Sequence, residues 1–176
     1  MIVSDTIRWN IRQAVATDAD ALALIGSATF LETFSGVLAG QDIISHCAHV
    51  HNATAYRSMF SSGGQMWLAE IEPGNAPVGF ALVGQPDLPT CKVGDIELKR
   101  IYCLSRFHGC GLGGGLMDAV INATSGYRRL LLGVYAGNTR AQAFYHKHGF
   151  AKVADRKFNV GGTLYDDVVM AKPLIP

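Results

Sequence analysis

Apolar residues recur along this chain with two different periods, which predict strands and helices in succession. Ile7, Trp9 and Ile11 alternate with polar residues, as in a half-buried strand. Leu116 and Val120 lie one helical turn apart in an apolar stretch that follows a run of glycines. The predicted strands lie at residues 7–12, 66–71, 78–83, 93–104, 130–134, 151–159 and 163–170, and the predicted helices at 17–31, 41–60, 112–123 and 138–145.

These elements follow the order β-α-α-β-β-β-α-β-α-β-β, which is typical of an α/β (α+β) fold. We expect residues 1–176 to form a single three-layer domain, in which helices cover both faces of a mixed, mostly antiparallel central sheet. The first helix should begin with Thr17 as its N-cap. Two later helices follow apolar strands, so their N-termini should lie at the carboxyl end of the sheet, where ligands usually bind.

The composition excludes several classes of function. A net charge of +1, with charges and aromatic residues interspersed, gives no general attraction to nucleic acid or to a membrane. No apolar run approaches the roughly 20 residues of a membrane span, and residues 1–8 lack the apolar core of a secretion signal. The four cysteines form neither a Cys-x-x-Cys pair nor a zinc-ligand spacing. We therefore expect a cytoplasmic protein with reduced cysteines.

Glycines dominate the turn between the strand at 93–104 and the helix at 112–123. Gly109, Gly111 and Gly113 alternate, and Gly114 and Gly115 follow them. Amides in the first turn of a helix have no partner within the helix, and the helix dipole adds positive charge there. Because glycine has no Cβ to keep a ligand away, the pattern predicts a diphosphate site on bare backbone.

Other kinds of glycine-rich turn are open alternatives. A tight strand-to-helix turn without a ligand would also use glycine. A P-loop would end in Gly-Lys-Ser/Thr, but Leu112 and three glycines end this run. Gly109, Gly111 and Gly114 match the dinucleotide-binding spacing, yet residues 127–140 lack the acidic residue expected about 20 positions on. A nucleotide-binding module therefore remains a weaker hypothesis.

Two separate motifs resemble those of a known family. The first, Gln/Arg-x-x-Gly-x-Gly/Ala after the fourth strand, is present as Arg106-Phe-His-Gly109-Cys-Gly111. The second is Asn-x-x-Ala-x-x-Phe-Tyr-x-Lys-x-Gly-Phe, and it runs here from Asn138 to Phe150. With the strand order, these motifs make nearly the whole chain similar to the GNAT superfamily of acetyl-coenzyme A-dependent N-acetyltransferases.

The resemblance implies that acetyl-coenzyme A (acetyl-CoA) is the cofactor and that its pantetheine arm lies between diverging fourth and fifth strands. The Cys103 amide would face the thioester oxygen and stabilise the oxyanion. Amides of residues 108–113 would hold the diphosphate, Asn138 would contact the pantetheine, and Tyr145 would face the sulfur. The implied cofactor-binding residues are Tyr102, Cys103, Leu104, Arg106, His108, Gly109, Cys110, Gly111, Leu112, Gly113, Gly114, Asn138 and Tyr145.

The reaction that the resemblance implies is direct attack of a primary amine on acetyl-CoA. An alkylamine has a pKa near 10.4, so a base or a water chain must remove a proton before the attack. We expect Glu97 to be the base and Tyr145 to protonate the leaving thiolate. Several simpler roles stay open: Glu97 could pair with Lys99 or Arg100, Tyr145 could be a core aromatic, Asn138 could be only an N-cap, and Arg106 could only hold the loop.

Two other chemistries are disfavoured. Cys103 and Cys110 could suggest an acyl-cysteine route, but no matching His-Asp set surrounds them in the sequence. His46, His49 and His51 could suggest a metal site, but three ligands in a fixed geometry are needed for a catalytic zinc. We expect no metal, and a surface or substrate-pocket role for these histidines.

The resemblance also predicts where the acceptor binds. The region after the first strand lines the acceptor side in this family, so Phe30, Glu32 and Phe34 are the expected substrate-binding residues. The run from Thr29 to Phe34 looks like that of polyamine-type and related small-molecule acetyltransferases, and Glu32 could attract a cationic amine. A small-molecule amine is the expected acceptor, with a protein N-terminus or lysine less favoured.

Two functions from different classes remain open. The first is an active N-acetyltransferase, which the presence of Glu97 and Tyr145 favours. The second is a non-catalytic domain that binds acetyl-CoA as a sensor or regulatory partner. Many similar proteins pair through edge strands, and the tail hairpin near residues 163–170 could form a homodimer in this way.

Overall fold

The computed structural model describes residues 7–174. The expectation about a secretion signal rests chiefly on residues 1–6, which lie outside this range. The strands are β1 (Trp9–Gln13), β2 (Gln65–Ile71), β3 (Ala76–Gly84), β4 (Asp95–Cys103), β5 (Arg129–Tyr135), β6 (Ala151–Val160) and β7 (Thr163–Pro173). The helices are α1 (Ala19–Phe34), α2 (Gly40–Val50), α3 (Ala53–Ser61), α4 (Leu112–Ala123) and α5 (Thr139–Lys147). Between residues 7 and 174, no helix has both the length and the apolar character needed to cross a bilayer.

All seven described strands form one mixed sheet in the order β1-β2-β3-β4-β5-β7-β6. Among them only β4 and β5 pair in parallel, and the other neighbours are antiparallel. The predicted mixed, mostly antiparallel sheet is therefore confirmed. The tail hairpin needs a correction, because β7 lies between β5 and β6 and is not an edge strand. Of the hairpin, only β6 is at the edge of the sheet.

Helices cover both faces of the sheet, as predicted. The fully buried Leu112, Leu116 and Met117 of α4 pack with strand residues on one face, where Tyr145 of α5 joins them. Helices α1 and α3 cover the other face, where Leu22 is fully buried. Burying a side chain of this size contributes roughly 1.5 to 3 kcal/mol, so α1 and α4 hold the sheet in place from opposite sides.

Two predicted helix boundaries are wrong. The helix expected at 41–60 is two helices, because the Asn52 side chain accepts a hydrogen bond from the Ala55 amide and starts α3. Helix α1 begins at Ala19, with Asp18 and not Thr17 at the N-cap position. A short 3-10 turn (Ala16–Asp18) precedes α1, and in it the Asp18 carboxylate accepts hydrogen bonds from the Val15 amide and from Arg12 of β1, all at 2.9 Å.

Candidate active site

Strands β4 and β5 diverge soon after they meet. They pair over three positions, from Asp95 opposite Arg129 to Glu97 opposite Leu131, and after that β5 continues paired only with β7. The closed end is held by Arg129, which donates two hydrogen bonds to the Asp95 carboxylate at 3.0 and 2.6 Å. Beyond it lies a cavity of about 1160 Å³, lined by residues of both strands and of the glycine-rich loop.

The glycine-rich loop opens onto this cavity at its wide end. Gly109 and Gly111 have φ of +85° and +89°, a left-handed conformation that side chains other than glycine rarely adopt. A Cβ added at Gly109 or Gly114 would meet nothing within 4 Å. The first helical hydrogen bond of α4 runs from the Gly115 amide to the Gly111 carbonyl, so the amides of residues 112–114 precede it. The loop therefore presents bare backbone at a helix N-terminus, and this arrangement suits a diphosphate.

The backbone of Cys103 faces the cavity. The Leu104 amide donates to the Val78 carbonyl of β3 at 2.9 Å, and backbone groups of consecutive strand residues point in opposite directions. The Cys103 amide and carbonyl therefore point away from β3, and His108 Nε2 lies 3.1 Å from that carbonyl. Burial raises the pKa of the Cys103 thiol to about 11, which opposes its use as a thiolate nucleophile at neutral pH.

Helix α5 and the residue that precedes it form the opposite wall. Asn138 lines the cavity and also caps α5, since its side-chain oxygen accepts a hydrogen bond from the Ala141 amide at 3.1 Å. Tyr145 is 8% exposed and lines the same cavity. Burial, and then the neighbouring Tyr102, raise the pKa of Tyr145 above its ordinary value. Its hydroxyl therefore stays protonated at neutral pH and can donate a hydrogen bond.

Glu97 lies at the closed end of the cavity. It is 5% exposed, and its Oε2 accepts hydrogen bonds from the Asp87 amide at 3.0 Å and from Lys99 Nζ at 3.1 Å. Burial raises its pKa, against the opposing effects of those two partners. Glu97 precedes Cys103 by six positions, a span of about 20 Å in extended strand. The pairing with Lys99 that the sequence left open is present, and Glu97 does not lie next to the Cys103 amide.

The expected acceptor residues line the cavity from α1. Phe30 and Phe34 are buried, with the Phe30 ring stacked on His46 at a centroid distance of 4.3 Å. Glu32 is directed to the loop after β4, where its two carboxylate oxygens accept hydrogen bonds from the amide and the hydroxyl of Ser105, both at 2.8 Å. Glu32 thus fastens α1 to the segment that leads into the glycine-rich loop.

Two of the three histidines from the sequence analysis line the cavity. Burial lowers the pKa of His46 to about 4 and that of His51 to about 3, so both are neutral at neutral pH. His51 Nδ1 lies 2.9 Å from the buried Tyr56 hydroxyl. His49 is exposed and is bound to the Ser45 carbonyl. Within residues 7–174, no three His, Cys, Asp or Glu side chains are grouped as metal ligands.

Three charged residues of the cavity were not singled out from the sequence. Arg156 of β6 donates to the buried Asp167 of β7 at 3.1 and 3.2 Å, and its guanidinium lies over Gly133 of β5. Burial raises the pKa of Tyr102 to about 12, and the nearby Asp167 adds to the rise. Arg100 of β4 also lines the cavity. Its position two residues before Tyr102 was a usable sequence signal, because both face one side of the strand. No local pattern marks Arg156 and Asp167.

Four of the predicted cofactor residues do not line the cavity. They are Leu104, Arg106, Cys110 and Leu112. The Arg106 guanidinium lies 5.1 Å from the Phe107 ring centroid, and the Leu112 side chain is fully buried in the core. The Cys110 thiol donates to the Phe107 carbonyl at 3.0 Å. The side chains at these four positions contact the loop or the core and not the cavity, whereas His108 lines the cavity.

The sequence matches the family model for the acetyltransferase (GNAT) family over residues 39–150. This chain belongs to the GNAT family. It is 30% identical, over 90% of its length and 99% of theirs, to uncharacterised N-acetyltransferases of Mycobacterium bovis and Mycobacterium tuberculosis. The prediction of the family is confirmed, and acetyl-CoA is confirmed as the cofactor at the level of the family.

Solved structures of GNAT proteins have the same fold. The PaiA N-acetyltransferase of Thermoplasma acidophilum, in complex with coenzyme A, matches with a TM-score of 0.74 at 18% identity, covering 94% of this chain and 99% of its own. The ribosomal-protein-alanine N-acetyltransferase of Brucella melitensis matches with a TM-score of 0.68 at 24% identity, covering 93% and 99%. These similarities confirm the predicted fold.

Proposed function

We propose that this GNAT protein transfers the acetyl group of acetyl-CoA to a primary amine by direct attack, with both substrates bound together. The observation that carries the proposal is the divergence of β4 and β5 after Glu97. It leaves the inner edges of both strands facing a cavity that reaches from the glycine-rich loop to the helix α1 side. A linear thioester substrate can enter from the first end and an amine from the second.

The glycine-rich loop and β4 supply the expected contacts to acetyl-CoA. The bare amides at the start of α4 would bind the diphosphate, because no Cβ at Gly109 or Gly114 prevents its approach. The Cys103 amide would donate to the thioester oxygen, where negative charge develops during attack, and one such donor contributes roughly 3 to 4 kcal/mol. Asn138 would contact the pantetheine arm from the opposite wall. Leu104, Arg106, Cys110 and Leu112 can contribute main-chain contacts or loop shape.

Two carboxylates are candidates for removing the amine proton. Glu97 is the first, and its raised pKa makes it a better base near neutral pH. At about 20 Å along the strand from Cys103, it would need a chain of water molecules. Asp167 is the second, since its charge acts on Tyr102 and burial also raises its pKa. Tyr145 would donate a proton to the departing thiolate, whose thiol has an ordinary pKa near 8.5.

The first experiment tests binding and turnover separately. Coenzyme A should raise the melting temperature of the protein, because a ligand that binds only the folded state stabilises it. Release of free thiol from acetyl-CoA is then followed with a panel of primary amines. A melting shift without thiol release for any amine would favour the sensor function, and the absence of both effects would refute both hypotheses.

Substitutions assign the roles. Tyr145→Phe should lower kcat at least about tenfold, while Tyr127→Phe, which lies outside the cavity, should leave it unchanged. Glu97→Gln and Asp167→Asn are compared through their pH–rate profiles. Only the variant that lacks the base should lose the acidic limb of the profile. An unchanged limb in Glu97→Gln would remove Glu97 from this role.

A further inference from the structure

Arg100 is a cationic side chain of the cavity without a carboxylate partner. It lies on β4, is half-buried, and its guanidinium lies 5.5 Å from the centroid of the Tyr56 ring. Its Nη1 is 3.3 Å from the Met59 sulfur. Within residues 7–174 it forms no salt bridge, although nine ion pairs occur there.

The neighbouring cations on the acceptor side of the cavity do have carboxylate partners. Lys99 lies between Glu97 at 3.1 Å and Asp87 at 3.4 Å. Arg156 is paired with Asp167. Of the three cations Lys99, Arg100 and Arg156, Arg100 is therefore the one without a carboxylate partner among the residues that the structure describes, while the nearby Glu32 carboxylate is bound to Ser105. A partly desolvated guanidinium gains most from a planar oxyanion that accepts two parallel hydrogen bonds.

The groups around Arg100 leave this position to a ligand. His46 and His51 are neutral, and the charge of Arg100 contributes to their lowered pKa values after burial. The Tyr56 hydroxyl lies 2.9 Å from His51 Nδ1 and also interacts with the Arg100 guanidinium, which it does not neutralise. Neutral imidazole and phenol groups solvate a guanidinium but do not neutralise it, so an anion that enters the cavity meets an uncompensated positive charge.

We propose that the acceptor carries an oxyanion, a carboxylate or a phosphonate, that binds the Arg100 guanidinium while the amine points toward Cys103. This inference rests on the proposed acetyltransferase function and specifies its substrate class. Arg100 precedes Cys103 by three residues, at most about 10 Å along the strand. An amino acid or aminophosphonate therefore fits better than a polycation, because the Arg100 charge attracts an oxyanion and repels a second ammonium group.

The test compares matched acceptors that differ in one charge. Glycine, β-alanine, 4-aminobutyrate and aminomethylphosphonate carry an oxyanion, while glycinamide, β-alaninamide and putrescine do not. Thiol release gives kcat/KM for each, and calorimetry with the coenzyme A-saturated protein gives binding without turnover. For the wild type, we expect the best oxyanion acceptor to exceed its amide by about 10- to 100-fold in kcat/KM.

Variants locate that preference. Arg100→Gln should abolish it, mainly by raising KM for oxyanion acceptors, and Arg100→Lys should retain part of it. Arg57→Gln, an exposed control on α3, should keep all of it. The inference is overturned if Arg100→Gln keeps the preference, if the wild type prefers amides or putrescine, or if it neither acetylates nor binds any oxyanion probe.

The two proposals can fail separately. Oxyanion probes that bind through Arg100 without being acetylated would refute the proposed turnover and support the anion site. Thiol release with the two amides or putrescine alone would support the acetyltransferase function and refute the anion site.

Discussion

Replacing Gly133 of β5 with alanine should break the ion pair between Arg156 of β6 and Asp167 of β7. Gly133 does not have the positive φ that many glycines of this chain adopt. Glycine is required at this position because the Arg156 side chain crosses the sheet over it. An added Cβ would overlap Nη2 of Arg156 and lie 2.8 Å from Cζ. A flexible arginine could normally move away at little cost. This one is held by two hydrogen bonds to Asp167, so moving it separates the pair.

The size of the effect follows from the burial of the two partners. The Asp167 side chain is 5% exposed and that of Arg156 is 18% exposed, so separating them leaves a buried carboxylate without compensation. Breaking such a pair costs about 3 to 5 kcal/mol, and exposure of Arg156 favours the lower end. Alanine returns about 0.5 to 1 kcal/mol of unfolded-state entropy relative to glycine. The net loss should be about 2 to 3 kcal/mol, or roughly 5 to 10 °C in melting temperature.

The pH dependence gives this prediction a distinctive sign. Burial already raises the pKa of Asp167, and loss of Arg156 should raise it further. A carboxyl whose pKa is raised in the folded state does not destabilise the fold below its unfolded pKa of about 3.9. The destabilisation grows as the pH rises from that value through the folded-state pKa. The penalty of Gly133→Ala should therefore be small near pH 4 and full at pH 7.

Thermal unfolding followed by circular dichroism at both pH values checks this. Gly114→Ala is the matched control, since an added Cβ there meets nothing within 4 Å and the helix should gain stability. In the Asp167→Asn background the penalty at pH 7 should shrink by at least half. An equal penalty at both pH values, or one that persists in that background, would refute the reasoning.

Three further outcomes are expected. Asp95→Asn should lower the free energy of unfolding by about 2 to 4 kcal/mol in denaturant titrations. Arg129 holds the pKa of Asp95 below its usual range. The stabilisation by this pair should therefore be present near neutral pH and disappear as the pH falls through the lowered pKa. Glu32→Gln should loosen the Ser105 loop, raising KM for acetyl-CoA while changing the melting temperature by only a few degrees; an unchanged KM would contradict this. Gly109→Ala should cost about 1 to 2 kcal/mol from its positive φ and weaken coenzyme A binding in calorimetry, and full affinity would contradict diphosphate binding at this loop.

Local sequence predicted most elements because their signals are local. Helix α4 was predicted with its observed ends, 112 and 123, since glycines precede it and an apolar repeat follows. The break between α2 and α3 was missed, although Asn52 is a recognisable N-cap residue. Thr17 was misplaced because residues 16–18 form a 3-10 turn before α1, in which Asp18 binds both the Val15 amide and Arg12 of β1. Similarly, the edge position of β6 depends on the sheet order and not on its own residues.

The sequence by itself determined the family, most of the elements and the bare backbone of the glycine-rich loop, since these depend on residue identity over short spacings. Only the tertiary structure decided which charges are matched. Arg156 of β6 pairs with Asp167, which lies opposite it on β7, and its side chain passes over Gly133. Glu32 binds Ser105, 73 positions later in the chain, and Arg100 has no acidic partner among residues 7–174. Electrostatic pairing depends on distances of a few ångströms between residues far apart in the chain, and packing alone sets those distances.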